Sequence, residues 1–400
     1  MIFAASFECQ ELWEEWLGAS AKTETWAFRT FSKAPPDDVL HVVGVIWNPC
    51  NYASRVRLAL DFVRRTEATP GVLLYIVELL YDSQEPSVAT TGHPRHLILR
   101  AKNGLAWWSK ENLINLGVER LLPETWRFFA WIDMDIIFEN NEWPLDTLRI
   151  LDHKDVVQLF AVAADTDAEG KITRCLPSMS FARSIRGARR PYVHGHSGYA
   201  WAMTRRAYED CGGLYEKGVL GSGDFLMACL LERRGVAPFG YTFSSEGERR
   251  CLLDWGKRAQ RAVLGHVPGV VRHCFHGSIC NRRYLERRAI LVRHRFDPDS
   301  HSERRADGLL VPTESCPADM LKEIETYFYR RDEDGNHNLS SSVNIAPARS
   351  NASIEAQHFE SQSDPFGMSG TLLRSTTRSS STCVPASTPS VRLARVLSPR

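Results

Sequence analysis

The sequence lacks the features that mark several large classes of protein. In its 400 residues, no apolar run approaches the roughly 18 to 20 residues that a membrane-spanning helix needs. The formal net charge of +1 gives no electrostatic sign of a nucleic-acid partner. The N-terminal "MIFAASFECQELWEEW" has no basic start and no continuous apolar core, so it is a poor secretory signal. We therefore expect a cytoplasmic protein without a transmembrane segment and without a nucleic-acid partner.

Paired cysteines and internal repeats are also missing. The ten cysteines are scattered, and none belongs to a C-x-x-C pair, the spacing typical of many zinc sites. Without a secretory signal, scattered cysteines are typical of reduced thiols in a core rather than of disulfides. The hydrophobic fraction of 43% is enough to build a sizeable core.

The composition divides the chain into four parts. Residues 1–37 are a mixed N-terminal extension that ends in the linker-like "SKAPPDD". Residues 38–305 hold the regular patterns described below, and residues 306–332 are expected to form a C-terminal helical extension. Residues 333–400 are rich in Ser, Thr, Pro and Arg and poor in aromatic residues. Such a segment buries too little apolar surface to offset its ordering, so we predict a disordered tail.

Strand-like and helix-like patterns alternate through the first half of the middle part. Strands are predicted at 40–49, 71–81, 96–102, 127–138 and 155–165. Helices are predicted at 52–65 and 109–122, the second with Ser109 as its N-cap. This alternation indicates an α/β fold with a mostly parallel sheet flanked by helices. In such sheets, ligands bind beyond the carboxyl ends of the strands.

Two aspartates interrupt the apolar run "RFFAWIDMDIIF". Asp133 and Asp135 are two residues apart, so on a strand their side chains would share a face. Buried carboxylates are costly unless they are paired or bind a metal. Helix capping or a salt bridge to an arginine would compensate the charge of the two carboxylates. A bound Mg²⁺ or Mn²⁺ would do the same, because these cations favour oxygen ligands. The three other Asp-x-Asp sequences lie in a turn-like stretch, a loop-like stretch and the predicted tail.

The stretch "FFAWIDMDIIF" resembles the DxD motif of glycosyltransferases with the GT-A fold, the fold of nucleotide-diphospho-sugar transferases. Four further blocks are similar to proteins of the glycosyltransferase 2-like group, and the resemblance covers roughly residues 40 to 300. The blocks are "NPCNYASRVRLALDFVRR", "KENLINLGVERLLPETW", "HGHSGYAWAMTRRAYEDCGGLYEKGVLGSGDFLMA" and "FHGSICNRRYLERRAILVRHRFDP". The resemblance implies a Rossmann-like GT-A domain that transfers a sugar, as a hexosyltransferase does. The donor would be a nucleotide-diphosphate sugar, the acceptor a hydroxyl on a glycan, a protein or a small molecule, and the cofactor Mn²⁺ or Mg²⁺.

For the metal, the resemblance implies ligands at the motif and at a later histidine. Asp135 and Asp133 would bind the cation together with the diphosphate of the donor, and Asp133 could instead contact the ribose or the sugar. His276, in "FHG" at the end of an apolar stretch, resembles the histidine that completes the metal site in several GT-A families. Imidazole is an acceptable ligand for Mn²⁺. His273 is expected to be structural, as a lone histidine usually is.

The stretch "GSGD" opens the predicted helix "DFLMACLLERRG", and Asp224 stands at its start. A carboxylate at that position can cap the helix. The resemblance implies instead that Asp224 is the general base that takes the proton of the acceptor hydroxyl, as in inverting members of the family. Those members often have two acids together, whereas Gly223 precedes Asp224 here, so the base role and inversion stay open. His196, in "HGHSGY", is a candidate on the acceptor side.

The resemblance places six further polar residues near the donor. Asn48 and Arg55, at and after the end of the first strand, would contact the nucleotide base or the ribose, and Glu78 in the second strand would do the same. Lys110 would meet the diphosphate. Two adjacent arginines after the histidine could hold phosphate through bidentate contacts; they are Arg282 and Arg283. A turn, a helix start and a solvated helix face are the alternative roles of these residues.

Two other functions stay open for this sequence. A sugar nucleotidyltransferase shares the fold class, but such enzymes usually have a Gly-rich, basic loop after the first strand, and "NPCNYASR" contains no glycine. A non-catalytic GT-A-like protein would bind sugars or nucleotides without turnover, and the presence of the acids and the histidine argues against it. The sequence identifies neither the sugar and nucleotide of the donor nor the acceptor and the stereochemistry.

Overall fold

The computed structural model describes residues 38–88, 93, 95–102, 107–186 and 195–335. These residues belong to the first of two units of the chain, Met1–Ala352. The second unit, Ser353–Arg400, lies outside the described residues, as do the N-terminal extension and the predicted tail from residue 336 onward. Glu333, the first residue of the predicted tail, is described and buried.

A seven-stranded sheet forms the centre of the described chain. In spatial order its strands are β10 (Leu264–His266), β6 (Val156–Gln158), β9 (Ala200–Thr204), β4 (Phe128–Ile132), β1 (Leu40–Trp47), β2 (Val72–Tyr81) and β3 (His96–Ala101). Neighbouring strands are parallel except at β9, which is antiparallel to both β4 and β6. The predicted α/β class with a mostly parallel sheet is confirmed.

Helices and short hairpins surround this sheet. The α-helices are α1 (Ala53–Glu67), α2 (Lys110–Leu121), α3 (Trp143–Leu151), α4 (Met179–Arg186), α5 (Arg205–Cys211), α6 (Gly223–Leu231), α7 (Glu246–Ala259), α8 (Tyr284–Arg293), α9 (Pro298–His301) and α10 (Ala318–Tyr329). Two 3₁₀ turns, Ala237–Phe239 and Ile279–Arg282, and the hairpin of β12 (Ser302–Arg304) with β13 (Leu310–Pro312) complete the described elements. Within the described ranges, no helix has the length and apolar character that crossing a membrane requires.

The apolar side chains of the central strands alternate between two cores. In β1, Val43 and Trp47 belong to the core that α2 also lines, whereas Val42 and Ile46 belong to the core that α1 lines. Successive residues of a strand point to opposite faces, so a sheet that is covered on both faces needs apolar residues at nearly every position. This explains why β1, β2 and β4 are apolar at nearly every position, with His41 in β1 and Glu78 in β2 as the polar exceptions.

A second sheet of four strands carries part of the candidate site. In spatial order its strands are β5 (Ile136–Phe138), β11 (Val270–His273), β7 (Val162–Thr166) and β8 (Ile172–Pro177). β11 is parallel to β7 and antiparallel to β5, and His273 pairs with Ile136 in this register. Since β4 belongs to the central sheet and β5 to the second sheet, the turn between β4 and β5 joins the two sheets.

The structure corrects two of the predicted strands. The stretch 127–138 is two strands that belong to different sheets, with Asp133 and Asp135 in the turn between them. The argument that both carboxylates share one face of a strand is therefore wrong. The stretch 155–165 is likewise divided, between β6 and β7. The other predicted strands and helices are confirmed to within a few residues. Ser109 is the N-cap residue of α2, as predicted, but its hydroxyl donates to the carbonyl of Trp107 and makes no capping hydrogen bond.

A buried carboxylate after α6 makes the stability of the chain depend on pH. Glu232 is 4% exposed, and its Oε2 lies 3.0 Å from Arg234 Nε, yet neither carboxylate oxygen accepts a hydrogen bond. Burial raises the pKa of Glu232 to about 7, although the positive charge of Arg234 lowers it. The folded chain then binds more protons than the unfolded chain, whose pKa is the ordinary 4.5. This contribution to stability is complete below pH 4.5 and is lost as the pH rises through about 7.

We expect Glu232→Gln to raise the melting temperature by a few degrees at pH 8 and to change it little at pH 5. Glutamine keeps the shape of the side chain and removes the charge that must be buried at the higher pH. Thermal unfolding followed by circular dichroism at both pH values measures the effect, and Glu286→Gln, on the exposed face of α8, is the matched control. An equal shift at both pH values would show that the ionisation of Glu232 is not the cause.

Candidate metal and nucleotide site

The turn between β4 and β5 brings Asp133 and Asp135 to the carboxyl end of the central sheet. Its backbone is held from two sides, because Asp133 N–H donates to Tyr199 O at 2.7 Å and Cys274 N–H donates to Asp135 O at 2.8 Å. The second bond ties the turn to the residue that follows β11. The position of both carboxylates is thus fixed by the backbone of two neighbouring segments.

Three side chains of this region converge on one point. His276 Nε2 lies 3.0 Å from Asp135 Oδ2, and His273 Nε2 lies 3.8 Å from the same oxygen. The two Nε2 atoms are 3.2 Å apart. Among the described residues, these three form the group whose ligand atoms are close enough together to hold one metal ion. His273, which the sequence analysis treats as structural, therefore faces the same point as His276.

Hydrogen bonds assign the proton of one imidazole and leave two tautomers for the other. His276 Nε2 lies 2.7 Å from Arg282 Nη2, which only donates, and 3.0 Å from Asp135 Oδ2, which only accepts, so it can accept from the one or donate to the other. His273 Nδ1 lies 3.1 Å from Asp165 Oδ1, and an ionised carboxylate only accepts, so His273 carries its proton on Nδ1. His276 Nδ1 faces Glu333 Oε2 at 3.4 Å. His273 therefore presents a lone pair at Nε2, as a metal ligand must, and His276 does so in the tautomer that carries its proton on Nδ1.

The spacing of the three ligand atoms fits a divalent cation. A triangle with sides of 3.0, 3.2 and 3.8 Å has its corners about 2 Å from a common centre, the length of a bond from nitrogen or oxygen to such a cation. Asp135 Oδ1 is buried and has no hydrogen-bond partner, so the carboxylate keeps acceptor capacity for a cation. Burial opposes the charge, but His273, His276 and Arg282 hold the pKa of Asp135 well below its ordinary value.

A second layer of contacts orients His273. Asp165 on β7 accepts hydrogen bonds from Tyr199 OH at 2.6 Å and from Arg174 Nε at 2.7 Å, in addition to its contact with His273. The Tyr199 ring stacks on the His273 ring with centroids 4.6 Å apart. Burial opposes ionisation of Asp165, yet His273 and Arg174 keep the pKa of its carboxyl below the ordinary value. A carboxylate behind a ligand imidazole is the usual support of a metal-binding histidine.

Asp133 lies apart from this cluster. Its carboxylate forms an ion pair with Lys110, and it is not one of the three converging side chains. Burial raises the pKa of Asp133, and the negative charge of Asp135 adds to this, while Lys110 opposes it. The structure thus separates the two aspartates of the motif, because Asp135 faces the histidines and Asp133 faces the lysine.

A pocket of about 130 Å³ lies beside the cluster. Five of the predicted donor-binding residues line it together with Asp135, His273, His276 and Arg331; the five are Asn48, Arg55, Lys110, Asp133 and Arg282. Asn48 also closes the turn after β1, since its side chain bonds the backbone N–H and the carbonyl of Tyr52 at 3.0 and 2.9 Å. The pocket lining is rich in basic side chains, as the site of an anionic ligand should be.

Two predicted donor-binding residues are not brought to this pocket. Glu78 is 1% exposed, accepts a hydrogen bond from Ser87 N–H at 2.7 Å and pairs with His96 at 3.1 Å. Arg283 forms an ion pair at 3.0 Å with Glu286 on the surface. Both side chains are thus paired with other residues of the protein and do not line the pocket.

Asp224 is not among the residues that line this pocket. It is in the first turn of α6, whose N-cap is Ser222, and its Oδ1 accepts a hydrogen bond from Phe225 N–H at 2.8 Å. Asp224 is therefore not the cap that the sequence allows. Its Oδ2 lies against Gly198, where any Cβ would overlap this oxygen.

A column of stacked rings connects the Asp224 side with the cluster. His196 stacks on Tyr199 with ring centroids 3.6 Å apart, and Tyr199 stacks in turn on His273. Burial lowers the pKa of His196 to about 4, so this imidazole is neutral at physiological pH. His196, the acceptor-side candidate, is thus near both Asp224 and the candidate ligands.

A buried acid lies beside the half-buried Asp224. Glu111, in the first turn of α2, accepts a hydrogen bond from Trp108 Nε1 at 3.1 Å. It packs so closely on Gly223 that a Cβ at that position would lie 2.5 Å from Glu111 Oε1. Burial, with a contribution from Asp224, raises the pKa of Glu111 to about 7 despite the adjacent Lys110. The residue before Asp224 in the sequence is Gly223 and not an acid, but the fold places the carboxylate of Glu111 against this glycine.

Several residues of this region were not predicted from the sequence. They are Glu111, Asp165, Tyr199, His273, Arg331 and Glu333. Asp165 is part of another Asp-x-Asp sequence, whose composition predicts a turn. The spacing of three residues between His273 and His276 is the one local signal that would have suggested a pair of ligands.

No protein-family model and no curated protein matches the chain, but solved structures do. One is S. aureus TarS 1–349, at 14% identity and a TM-score of 0.32, over 48% of this chain and 55% of that chain. The match thus spans about half the length of the TarS structure. A second is the mannosyltransferase PcManGT from Pyrobaculum calidifontis in complex with GDP-Man and Mn²⁺, at 14% identity and a TM-score of 0.36, over 80% and 79%.

A third similar structure is the catalytic domain of Drosophila beta1,4galactosyltransferase 7 in complex with xylobiose. The identity is 12% and the TM-score 0.34, over 72% of this chain and 98% of that chain. Two of the three structures are named as sugar transferases.

Proposed function

We propose that the chain is a metal-dependent glycosyltransferase that moves a sugar from a nucleotide-diphosphate sugar to an acceptor hydroxyl. The observation that carries the proposal is the cluster of Asp135, His273 and His276 at the edge of a cation-lined pocket. A divalent cation next to basic side chains suits a diphosphate, which needs neutralising charge both when it binds and when it leaves. The resemblance of "FFAWIDMDIIF" to the DxD motif supports the same reaction.

The three converging side chains would hold the cation. Two imidazoles and one carboxylate favour a transition metal such as Mn²⁺ over Mg²⁺, which prefers oxygen ligands. When bound, the cation would supply Lewis-acid stabilisation of the charge on a departing diphosphate. Asp135 stays ionised for this role because His273, His276 and Arg282 lower the pKa of its carboxyl.

The remaining polar residues would divide between donor and acceptor. Lys110 and Arg282 line the pocket and would contact the phosphates, while Asn48 lies at the end of β1, where the base or ribose would bind. Asp133, held by Lys110, would contact the ribose or the sugar. Asp224 would take the proton of the acceptor hydroxyl.

Two alternatives have different requirements. A sugar nucleotidyltransferase would need a phosphate-binding loop after β1, and that segment is the turn closed by Asn48. A non-catalytic GT-A-like protein would bind a nucleotide sugar without transferring it, so it would show nucleotide binding and no turnover. A measurement of binding followed by one of transfer separates these cases.

Calorimetric titration of the metal-stripped protein with UDP and with GDP tests the proposal. We expect one of the two nucleotides to bind at least about tenfold more tightly with Mn²⁺ than without metal. Mg²⁺ is expected to be the weaker cofactor, because two of the three ligands are imidazoles. Equal affinity with and without Mn²⁺ would contradict a metal-assisted donor site. The nucleotide that binds more tightly identifies the donor class to screen for transfer.

A further inference from the structure

The segment after α10 enters the candidate donor pocket. Arg331 and Glu333 are 7% and 4% exposed, and Arg331 lines the pocket. The backbone of Glu333 approaches Gly277 so closely that a Cβ on this glycine would lie 2.8 Å from Glu333 Cα. Residues 331–334, called the C-terminal strap below, are thus packed against the segment that carries His276.

The Glu333 carboxylate is held by cations of the pocket. Arg55 donates to both of its oxygens, from Nε at 2.5 Å and from Nη2 at 2.8 Å. Arg331 Nη2 lies 2.7 Å from Glu333 Oε1, whereas Arg331 Nε is buried and has no hydrogen-bond partner. Two arginines thus converge on one carboxylate, and one of them keeps an unused donor.

The next residue of the strap occupies a second site for an anion. Asp334 accepts hydrogen bonds from Ala53 N–H at 2.8 Å and from Ser54 N–H at 2.9 Å, at the start of α1. This helix has 15 residues and no acidic residue in its own first turn. The N–H groups at the start of a helix, next to arginines, favour phosphate groups as well as carboxylates.

The strap is held in an unfavourable backbone conformation. Asp332 has a φ of 43°, in the left-handed region that aspartate adopts more readily than most residues other than glycine. Its N–H donates to Tyr52 OH at 3.1 Å, so a contact with the segment before α1 holds this conformation.

We propose that Arg55, Arg331 and the start of α1 form the binding site for the diphosphate of the donor, and that Glu333 and Asp334 fill this site as an internal anion until the donor displaces them. The proposal rests on the proposed function, since it assigns the phosphate subsite of that donor pocket. Displacement exchanges ion pairs and neither forms nor breaks a covalent bond. The pocket volume of about 130 Å³ is smaller than the usual ligand pocket of about 300 to 1,000 Å³. A pocket that is partly filled by the strap would be small in this way.

The test compares Glu333→Gln with the wild-type chain in calorimetric titrations with Mn²⁺. The probes are UDP, GDP, inorganic pyrophosphate and uridine. We expect Glu333→Gln to bind pyrophosphate and the preferred nucleotide about tenfold more tightly, since the competing charge is gone. The affinity for uridine, which has no phosphate, should stay the same. Arg331→Gln should weaken the binding of pyrophosphate and of the nucleotide.

Glu323→Gln is the matched control. Glu323 lies on α10 and pairs with Arg293 and His294, outside the lining of the pocket. Circular dichroism checks that each variant is folded, and Asp334→Asn supplies a second test if Glu333→Gln does not fold. We expect Asp334→Asn to tighten the binding of the same two probes.

Three outcomes separate this proposal from the proposed function. Binding in Glu333→Gln that is equal to or weaker than in the wild-type chain, while the wild type shows Mn²⁺-dependent nucleotide binding, would overturn the internal anion alone. Binding in Glu333→Gln where the wild-type chain binds nothing would support the internal anion. If no folded variant binds any probe with Mn²⁺, both proposals fail.

Discussion

Replacement of Asp135 by alanine is expected to abolish sugar transfer and Mn²⁺-dependent nucleotide binding while the chain stays folded. Asp135 supplies the one carboxylate of the three-residue cluster, and its unpartnered Oδ1 has no structural bond to lose. Loss of a residue that merely supports a metal ligand typically lowers metal affinity about 10- to 100-fold, so loss of a ligand should lower it at least about 100-fold. His273 and His276 would remain, but without a negative charge beside them.

Titration of the stripped variant with Mn²⁺ and the preferred nucleotide measures this effect. Asp299→Ala is the matched control, because Asp299 is the second acid of another Asp-x-Asp sequence and forms an exposed ion pair with Arg250. The control should bind metal and nucleotide as the wild-type chain does. Wild-type turnover in Asp135→Ala would remove the central claim of the proposed function.

Replacement of Asp224 by asparagine is expected to lower kcat about 10²- to 10⁴-fold, the usual contribution of general base catalysis. Donor binding should not change, since Asp224 does not line the donor pocket. Asparagine can still accept the hydrogen bond from Phe225 N–H, so the start of α6 is preserved. It cannot take a proton from the acceptor.

Two measurements on Asp224→Asn decide between a chemical and a structural role. The dissociation constant of the nucleotide with Mn²⁺ should equal that of the wild-type chain, and kcat alone should fall. Asp254→Asn, on the exposed face of α7, is the control for the same exchange in a helix. A wild-type kcat in Asp224→Asn would exclude Asp224 as the base, and Glu111 would then be the acid to replace next.

The class of the fold could be predicted from the sequence because its evidence is local. Strands buried on both faces give nearly continuous apolar runs, and the run of β1 is followed by a helical period, so β1, α1 and β2 are evident from the residues themselves. The division of 127–138 between two sheets depends instead on long-range pairing, since β4 pairs with β1 and β9 whereas β5 pairs with β11. No local pattern encodes such a choice.

The candidate site shows the same limit. His276 could be predicted as a ligand through the resemblance, and the structure places its Nε2 beside Asp135. His273 ends an apolar strand, where a structural role is the ordinary expectation, and its significance depends on Asp165, 108 residues earlier in the chain. Glu333 belongs to a segment whose composition predicts disorder, and only its neighbours show that it is held in place. Burial and partners, which decide these roles, are properties of the folded chain.

The second sheet makes the candidate metal site separable from the seven-stranded sheet. Asp135 immediately precedes β5 and His273 ends β11, and these strands are registered by three residue pairs. The seven-stranded sheet contains neither strand. A single inserted or deleted residue in this short ribbon would turn His273 to the opposite face. Over evolutionary time, a descendant of this chain can therefore lose the candidate metal site through one small indel and keep the architecture of its large sheet.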